Sequence, residues 1–179
     1  MQHQARQLLQ VVTAVSSATD TDGNAVNVSI TSEIPAGYTQ AVADIKTEAK
    51  LKEVIGSDFN ANMTVADVKE VTAPEGAKFP LKITFVMKGV TASSKVQILH
   101  YNRSASAWEK IDTTVADGTV TGTFSSLSPV AFVVDKTTLT SVTGTATSPA
   151  TSATAVSAVA VLGLAAVAVA FGLKKKAVR

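Results

Sequence analysis

The chain has 179 residues, no cysteine, two histidines and a formal net charge of +2. The lack of cysteine excludes disulfides, thiolate catalysis and cysteine-ligated metal sites. Four cations follow residue 173 and exceed the net charge, so the rest of the chain is mildly acidic. This balance gives no support for nucleic-acid binding.

Residues 1–72 are predicted to form a β-hairpin and a helix, at the end of a larger ectodomain. Two apolar runs within residues 8–32 flank the sequence DTDGN at residues 20–24, which is typical of a tight turn. The D-x-D-x-N spacing also resembles the start of a calcium-binding loop. The position of the glycine and the threonine at the twelfth position do not fit that loop, and the turn is preferred.

A single helix is predicted over residues 38–55. Apolar residues recur at helical spacing from Tyr38 to Ala49, and Gly56 provides a stop. The carboxylates on the other face alternate with lysines, which is typical of a solvated helix surface and not of a catalytic pair.

Residues 73–136 are predicted to form an antiparallel β-sandwich-like module, so the fold class is mainly β with one helix (α+β). Apolar and polar residues alternate from Phe79 to Met87, and an Asp-Gly pair at residues 117–118 predicts a hairpin between residues 108–115 and 119–124. The expected core aromatics are Phe85, Trp108, Phe124 and Phe132. For Trp108, a carbohydrate-stacking role is the alternative.

The chain ends in three segments of distinct composition. Residues 137–154 form a Thr/Ser-rich linker, in which apolar surface is too scarce for a packed core. Residues 155–173 carry no charge, and about 20 apolar residues suffice for a helix to cross a bilayer. They are therefore predicted to form a transmembrane helix. The end of the chain after this helix is predicted to be cytoplasmic, because it carries four cations: Lys174, Lys175, Lys176 and Arg179.

Two other interpretations of the apolar segment fit the sequence less well. A buried helix of a soluble domain is disfavoured after a Thr-rich linker. A glycolipid-anchor signal normally ends on apolar residues, whereas this chain ends on KKKAVR.

An ectodomain outside the cell needs an export signal, and residues 1–18 match one poorly. Their apolar stretch is interrupted by Gln10 and Thr13, and Arg6 is their only cation besides the amino terminus. A signal peptide and a strand of a larger domain are the two interpretations. The second is preferred, so we expect this chain to be the C-terminal part of a longer surface protein.

A family resemblance becomes specific over residues 100–136. Their sequence is HYNRSASAWEKIDTTVADGTVTGTFSSLSPVAFVVDK. It resembles the membrane-proximal module of Gram-positive, chiefly Firmicutes, cell-surface proteins, with a Trp-Glu-Lys strand, an Asp-Gly hairpin and a final strand after Ser-Pro. Such proteins usually end in a sortase sorting signal: a Leu-Pro-x-Thr-Gly-type pentapeptide, an apolar helix and a cationic tail.

The pentapeptide position here is degenerate. It is occupied by Ser148, Pro149, Ala150, Thr151 and Ser152. The resemblance implies that a sortase cleaves after Thr151 and joins the chain to peptidoglycan. Ser152 replaces the glycine of the cleaved bond and adds a Cβ where the enzyme must approach the backbone.

These features predict a surface-anchored structural or adhesive protein. It is either a single-pass membrane protein with a cytoplasmic C-terminus or attached to the cell wall after processing. The expected partners are the membrane, sortase, peptidoglycan and a host or matrix ligand, with no nucleic acid. The alternatives are the anchoring end of a larger exported enzyme with an upstream catalytic domain, and a pilin or shaft subunit.

No catalytic or metal-binding site is expected in this chain. Its histidines are His3 and His100, and neither lies in a recognisable nucleophile–base or metal-ligand motif. We therefore predict no enzymatic activity, no metal and no cofactor.

Overall fold

The computed structural model describes residues 12–140, which form a two-sheet antiparallel β-sandwich with two short helices. Its strands are β1 (Val12–Thr19), β2 (Ser29–Thr31), β3 (Met63–Thr72), β4 (Leu81–Met87), β5 (Val96–Asn102), β6 (Ala107–Ile111), β7 (Thr113–Ala116), β8 (Thr119–Phe124) and β9 (Pro129–Asp135). The helices are α1 (Thr39–Ile45) and α2 (Glu48–Ile55). No helix among these residues is long and apolar enough to cross a membrane. The predicted transmembrane segment, residues 155–173, lies outside them.

The strands are ordered β1-β4-β8-β7 in the first sheet and β2-β3-β9-β5-β6 in the second. Every pair is antiparallel. β1 pairs with β4, and β3 pairs with β9, so strands from residues 12–72 and from residues 73–136 contribute to both sheets. The two regions distinguished by sequence therefore share one sandwich.

The core between the sheets follows the predicted alternation of β4. Leu81, Ile83, Phe85 and Met87 are all fully buried, which confirms this strand, although it begins at Leu81 and leaves Phe79 40% exposed. The ring of Phe85 makes edge contacts with those of Phe124 and Phe132, at centroid distances of 6.0 and 5.0 Å. Such aromatic pairs stabilise the fold beyond the contribution of the apolar area that they bury.

The helices cover the outer face of the second sheet and form a second core there. Ile45 of α1 and Leu51 and Ile55 of α2 pack with Trp108, whose side chain belongs to this cluster. The indole is buried, and its Nε1 donates a hydrogen bond of 2.9 Å to the carbonyl of Ala41. Trp108 is thus a core residue as predicted, and the carbohydrate-stacking alternative is wrong because its ring is covered.

The predicted helix over residues 38–55 is two helices. Thr47 is extended, with φ −83° and ψ 142°, and its Oγ1 accepts a hydrogen bond of 3.3 Å from the amide of Lys50. The Thr47 side chain therefore caps the N-terminus of α2, a position that threonine favours, and its extended backbone ends α1. The break changes the helical phase, so Ala49 is exposed and Leu51 is buried. Gly56, with φ 70°, ends α2 as predicted.

The predicted hairpin within residues 8–32 forms its turn and a single antiparallel bridge, between Thr19 and Ala25. Asp20 Oδ1 accepts hydrogen bonds from the amides of Asp22 and Asn24, at 2.9 and 2.8 Å. However, β1 pairs with β4 in the first sheet, whereas β2 pairs with β3 in the second. The turn thus carries the chain from one sheet to the other, and buried Val28 packs into the core on the way.

The predicted strand over residues 108–115 also divides between the sheets. β6 ends at Ile111 and lies at the edge of the second sheet, while β7 lies at the edge of the first. β7 then pairs with β8, and Gly118 in their connection has φ 72°. This pairing confirms the predicted Asp-Gly hairpin. Glycine suits the turn because the turn requires a residue that tolerates positive φ.

Candidate functional site

The described chain begins and ends at the same end of the sandwich, which we call the base. Val12 pairs with Met87, and Thr140 Oγ1 donates to the carbonyl of Gly89 at 3.1 Å. The opposite end, which we call the tip, carries the connections over residues 20–24, 73–80, 103–106 and 125–128.

The base is closed by Asp135 at the end of β9. Its carboxylate accepts hydrogen bonds from Asn60 Nδ2 at 2.9 Å and from Thr137 Oγ1 at 2.6 Å. The hydrogen bond from the Thr137 hydroxyl is the largest of the causes that place the pKa of Asp135 below its ordinary value. The sandwich nevertheless continues past residues 135–136, the predicted end of the β module. Leu139 packs against the core, and Thr138 Oγ1 accepts a hydrogen bond of 2.8 Å from the amide of Lys95. The first residues of the predicted linker therefore belong to the folded sandwich.

A cleft of about 510 Å³ also lies at the base. It is lined by residues 57–60 and 94–97, with Met63 and Val115. Asp58 and Lys95 give it one charge of each sign, and Asp58 is already paired with Lys110 at 2.7 Å. The cleft lies beside the point where the described chain leaves the sandwich, and its lining favours no particular ligand charge.

The tip contains a second cleft, of about 330 Å³. It is lined by residues 71–74 at the end of β3, by Phe79, by Arg103 and by residues 125–127. Arg103 is the only charged residue in this lining. The cleft thus combines one cation, an exposed aromatic ring and hydroxyl groups, a mixture typical of sites that orient a small polar ligand.

Arg103 is held in place from two sides. One of its terminal nitrogens lies 3.3 Å from Glu70 Oε1, and its guanidinium carbon lies 5.2 Å from the centroid of the Tyr38 ring. Burial raises the pKa of the Glu70 carboxyl, and Arg103 opposes this shift without cancelling it. The second Glu70 oxygen, Oε2, is buried without a hydrogen-bond partner among the described residues.

The turn that carries Arg103 is itself ordered by hydrogen bonds. Asn102 Oδ1 accepts from the amides of Ser104 and Ala105, at 3.0 and 3.1 Å. Ser106 closes the turn in the left-handed region, with φ 50°. The guanidinium is therefore presented from a fixed loop.

A separate polar network lies inside the sandwich around His100. His100 on β5 pairs with Glu109 on β6, and its Nδ1 lies 2.8 Å from Glu109 Oε1. Its Nε2 lies 3.0 Å from Ser128 Oγ, which also contacts the Tyr101 carbonyl. Burial acts to raise the pKa of Glu109, but hydrogen bonds from His100 and Asn102 outweigh it and lower the pKa below the ordinary value.

This Ser–His–carboxylate order is that of a hydrolase triad, and sequence reasoning did not find it. His100 and Ser128 are both fully buried, so the hydroxyl offers no face to a substrate in this conformation. The network therefore ties β5, β6 and the segment before β9 together. Glu109 could have been paired with His100 from the short turn between them, whereas nothing in the sequence indicates Ser128.

The predicted sorting and topology residues lie outside the described part of the chain. They are Ser148, Pro149, Ala150, Thr151, Ser152, Lys174, Lys175, Lys176 and Arg179. Within residues 12–140, no group of three or more His, Asp or Glu side chains is placed to hold a metal ion.

The described residues thus define a two-sheet antiparallel β-sandwich whose tip cleft lies away from the end where the chain enters and leaves. No family model, curated protein or solved structure matches the chain.

Proposed function

We propose that this protein is a surface-anchored structural or adhesive protein, which presents its β-sandwich through a Thr/Ser-rich stalk and a C-terminal anchor. The observation that carries the proposal is the order of the last segments: a charge-free stretch over residues 137–173, followed directly by Lys174, Lys175, Lys176 and Arg179. A long apolar segment with cations on one side is the pattern of a membrane anchor with a cytoplasmic tail.

The shape of the sandwich supports a presenting role. Residue 141 continues the chain from the base, where Thr140 contacts Gly89. The tip loops lie at the other end of strands such as β9, whose seven residues run from the tip to the base. The described chain therefore ends at the base, opposite the tip loops, which we propose meet a host or matrix ligand.

Cell-wall attachment is the second part of the proposal. A sortase would cleave after Thr151, release residues 152–179 and join the ectodomain to a peptidoglycan amine. The alternative function, an anchor for an exported enzyme with an upstream catalytic domain, uses the same C-terminal segments. The full reading frame distinguishes them, because only the enzyme has a catalytic motif upstream of Met1.

The processing step predicts a defined product in the native host. Mass spectrometry of cell-wall digests should recover a peptide that ends at Thr151 on a wall fragment. Ser152→Gly should increase the wall-attached fraction severalfold, because glycine removes the Cβ at the cleaved bond. Ser141→Gly, within the stalk but far from the cleaved bond, is the matched control and should leave that fraction unchanged. Recovery of only uncleaved chains that retain residues 174–179, for both variants, would contradict sortase processing.

A further inference from the structure

We infer that the tip cleft binds a carboxylate-bearing sugar residue, with Arg103 as the group that receives the carboxylate. The inference rests on the proposed presenting role and gives it a ligand class. Three properties of the cleft lead to it: its charge, the chemistry of its walls and its size.

The charge of the cleft favours a monoanion. Arg103 is 55% exposed at its side chain, and one of its five N–H donors is engaged by Glu70, so a planar face and several donors remain. A guanidinium matches a carboxylate by two parallel hydrogen bonds. Arg103 is the only cation in the lining, and Glu70 already offsets part of its charge. The cleft therefore suits a single carboxylate better than a phosphate dianion.

The walls favour a ring that carries hydroxyl groups. Thr72, Ser125 and Ser126 line the cleft and bring three hydroxyl groups to it. Hydroxyls both donate and accept, which suits the hydroxyls of a sugar. Phe79 lines the cleft and is 40% exposed. An exposed aromatic ring is suited to stacking against the C–H groups of a sugar ring.

The size favours one sugar residue in place of a long chain segment. The volume of about 330 Å³ lies at the lower end of the range for small-molecule sites, roughly 300–1,000 Å³. Arg103 is also ordered before any ligand arrives, through its contacts with Glu70 and Tyr38. Binding therefore costs little side-chain entropy at this position.

Calorimetry on the full-length chain in detergent micelles tests the inference with three probes. Methyl glucuronide should bind, whereas methyl glucoside, which lacks the carboxylate, and acetate, which lacks the ring, should each bind about tenfold more weakly or worse. Arg103→Gln should weaken methyl glucuronide binding about tenfold, since a charge-assisted hydrogen bond is lost. Phe79→Ala should weaken the binding of methyl glucuronide and of methyl glucoside severalfold.

Two control variants keep the interpretation specific. Lys52→Gln removes an exposed cation from α2 and should leave binding unchanged. Arg103→Lys retains the charge without the planar fork and should recover only part of the affinity. Trp108 fluorescence checks that each variant is folded.

Three results would overturn the inference: equal affinity for methyl glucoside and methyl glucuronide, no binding of any sugar, or unchanged binding by Arg103→Gln. Because binding is measured on purified protein, such a result leaves the separate question of anchoring in cells untouched.

Discussion

Phe85→Ala is expected to lower the free energy of unfolding by about 3–5 kcal/mol, the usual cost of removing a buried phenylalanine. Phe85 is fully buried at the centre of β4 and contacts Phe124 and Phe132 from opposite sheets. Its removal leaves a cavity that both sheets border. A domain of this size is stable by about 5–15 kcal/mol in total, so the loss is a large share of its stability.

Urea unfolding of the full-length chain, followed by the fluorescence of its single tryptophan, measures this effect. Val86→Ala is the matched control, because Val86 is the next residue on β4 and lies partly exposed on the outer face. It should cost about 1 kcal/mol or less. Equal losses in the two variants would mean that the inter-sheet core is not where the structure places it.

The second large effect is expected at the buried polar network. His100→Ala removes a fully buried ring together with its contacts to Glu109 and Ser128. We expect a loss of about 3 kcal/mol in the free energy of unfolding, from the cavity and the lost hydrogen bonds. Lys110→Ala is the control, because Lys110 is exposed on the neighbouring strand β6. It removes only a surface ion pair with Asp58 and should cost less than about 1 kcal/mol.

The same network should make part of the stability depend on pH. Because the folded-state pKa of Glu109 is lowered, its carboxylate stabilises the fold above the unfolded-state pKa, about 4.3. That contribution is lost as the pH falls through the folded-state value. The companion variant Glu109→Gln should therefore be less stable than the natural chain at pH 7, by a difference that shrinks between pH 7 and pH 3. A stability difference that does not change between these pH values would contradict the assigned pairing.

Local signals in the sequence predicted the individual strands well. The alternation of β4 and the Asp-Gly turn between β7 and β8 act over neighbouring residues, and both were confirmed. Sheet membership was not predictable in the same way. β1 and β2, like β6 and β7, are neighbours in sequence but lie in different sheets, because non-local packing selects each partner strand.

The break between the helices and the contacts at the two sites were also beyond what local sequence signals can predict. Periodicity did not predict the break at Thr47, since a threonine hydroxyl can either face solvent or cap a new helix. Arg103 and Glu70 are 33 residues apart, and His100 and Ser128 are 28 apart, so only the folded sheet brings each pair together. The segments that locate the protein lie outside the described residues and stay predictions from composition.

The most direct test of the central claim, a sandwich outside the cell and a cationic tail inside, uses the natural lack of cysteine. Thr123→Cys places a thiol on the exposed face of β8, and Ala177→Cys places one among the terminal cations. Native-host cells that express each variant are treated with a membrane-impermeant maleimide, before and after disruption. We predict labelling at position 123 in intact cells. On chains that still carry residues 174–179, we predict labelling at position 177 only after disruption. Labelling at position 177 in intact cells, or at position 123 only after disruption, would contradict the account.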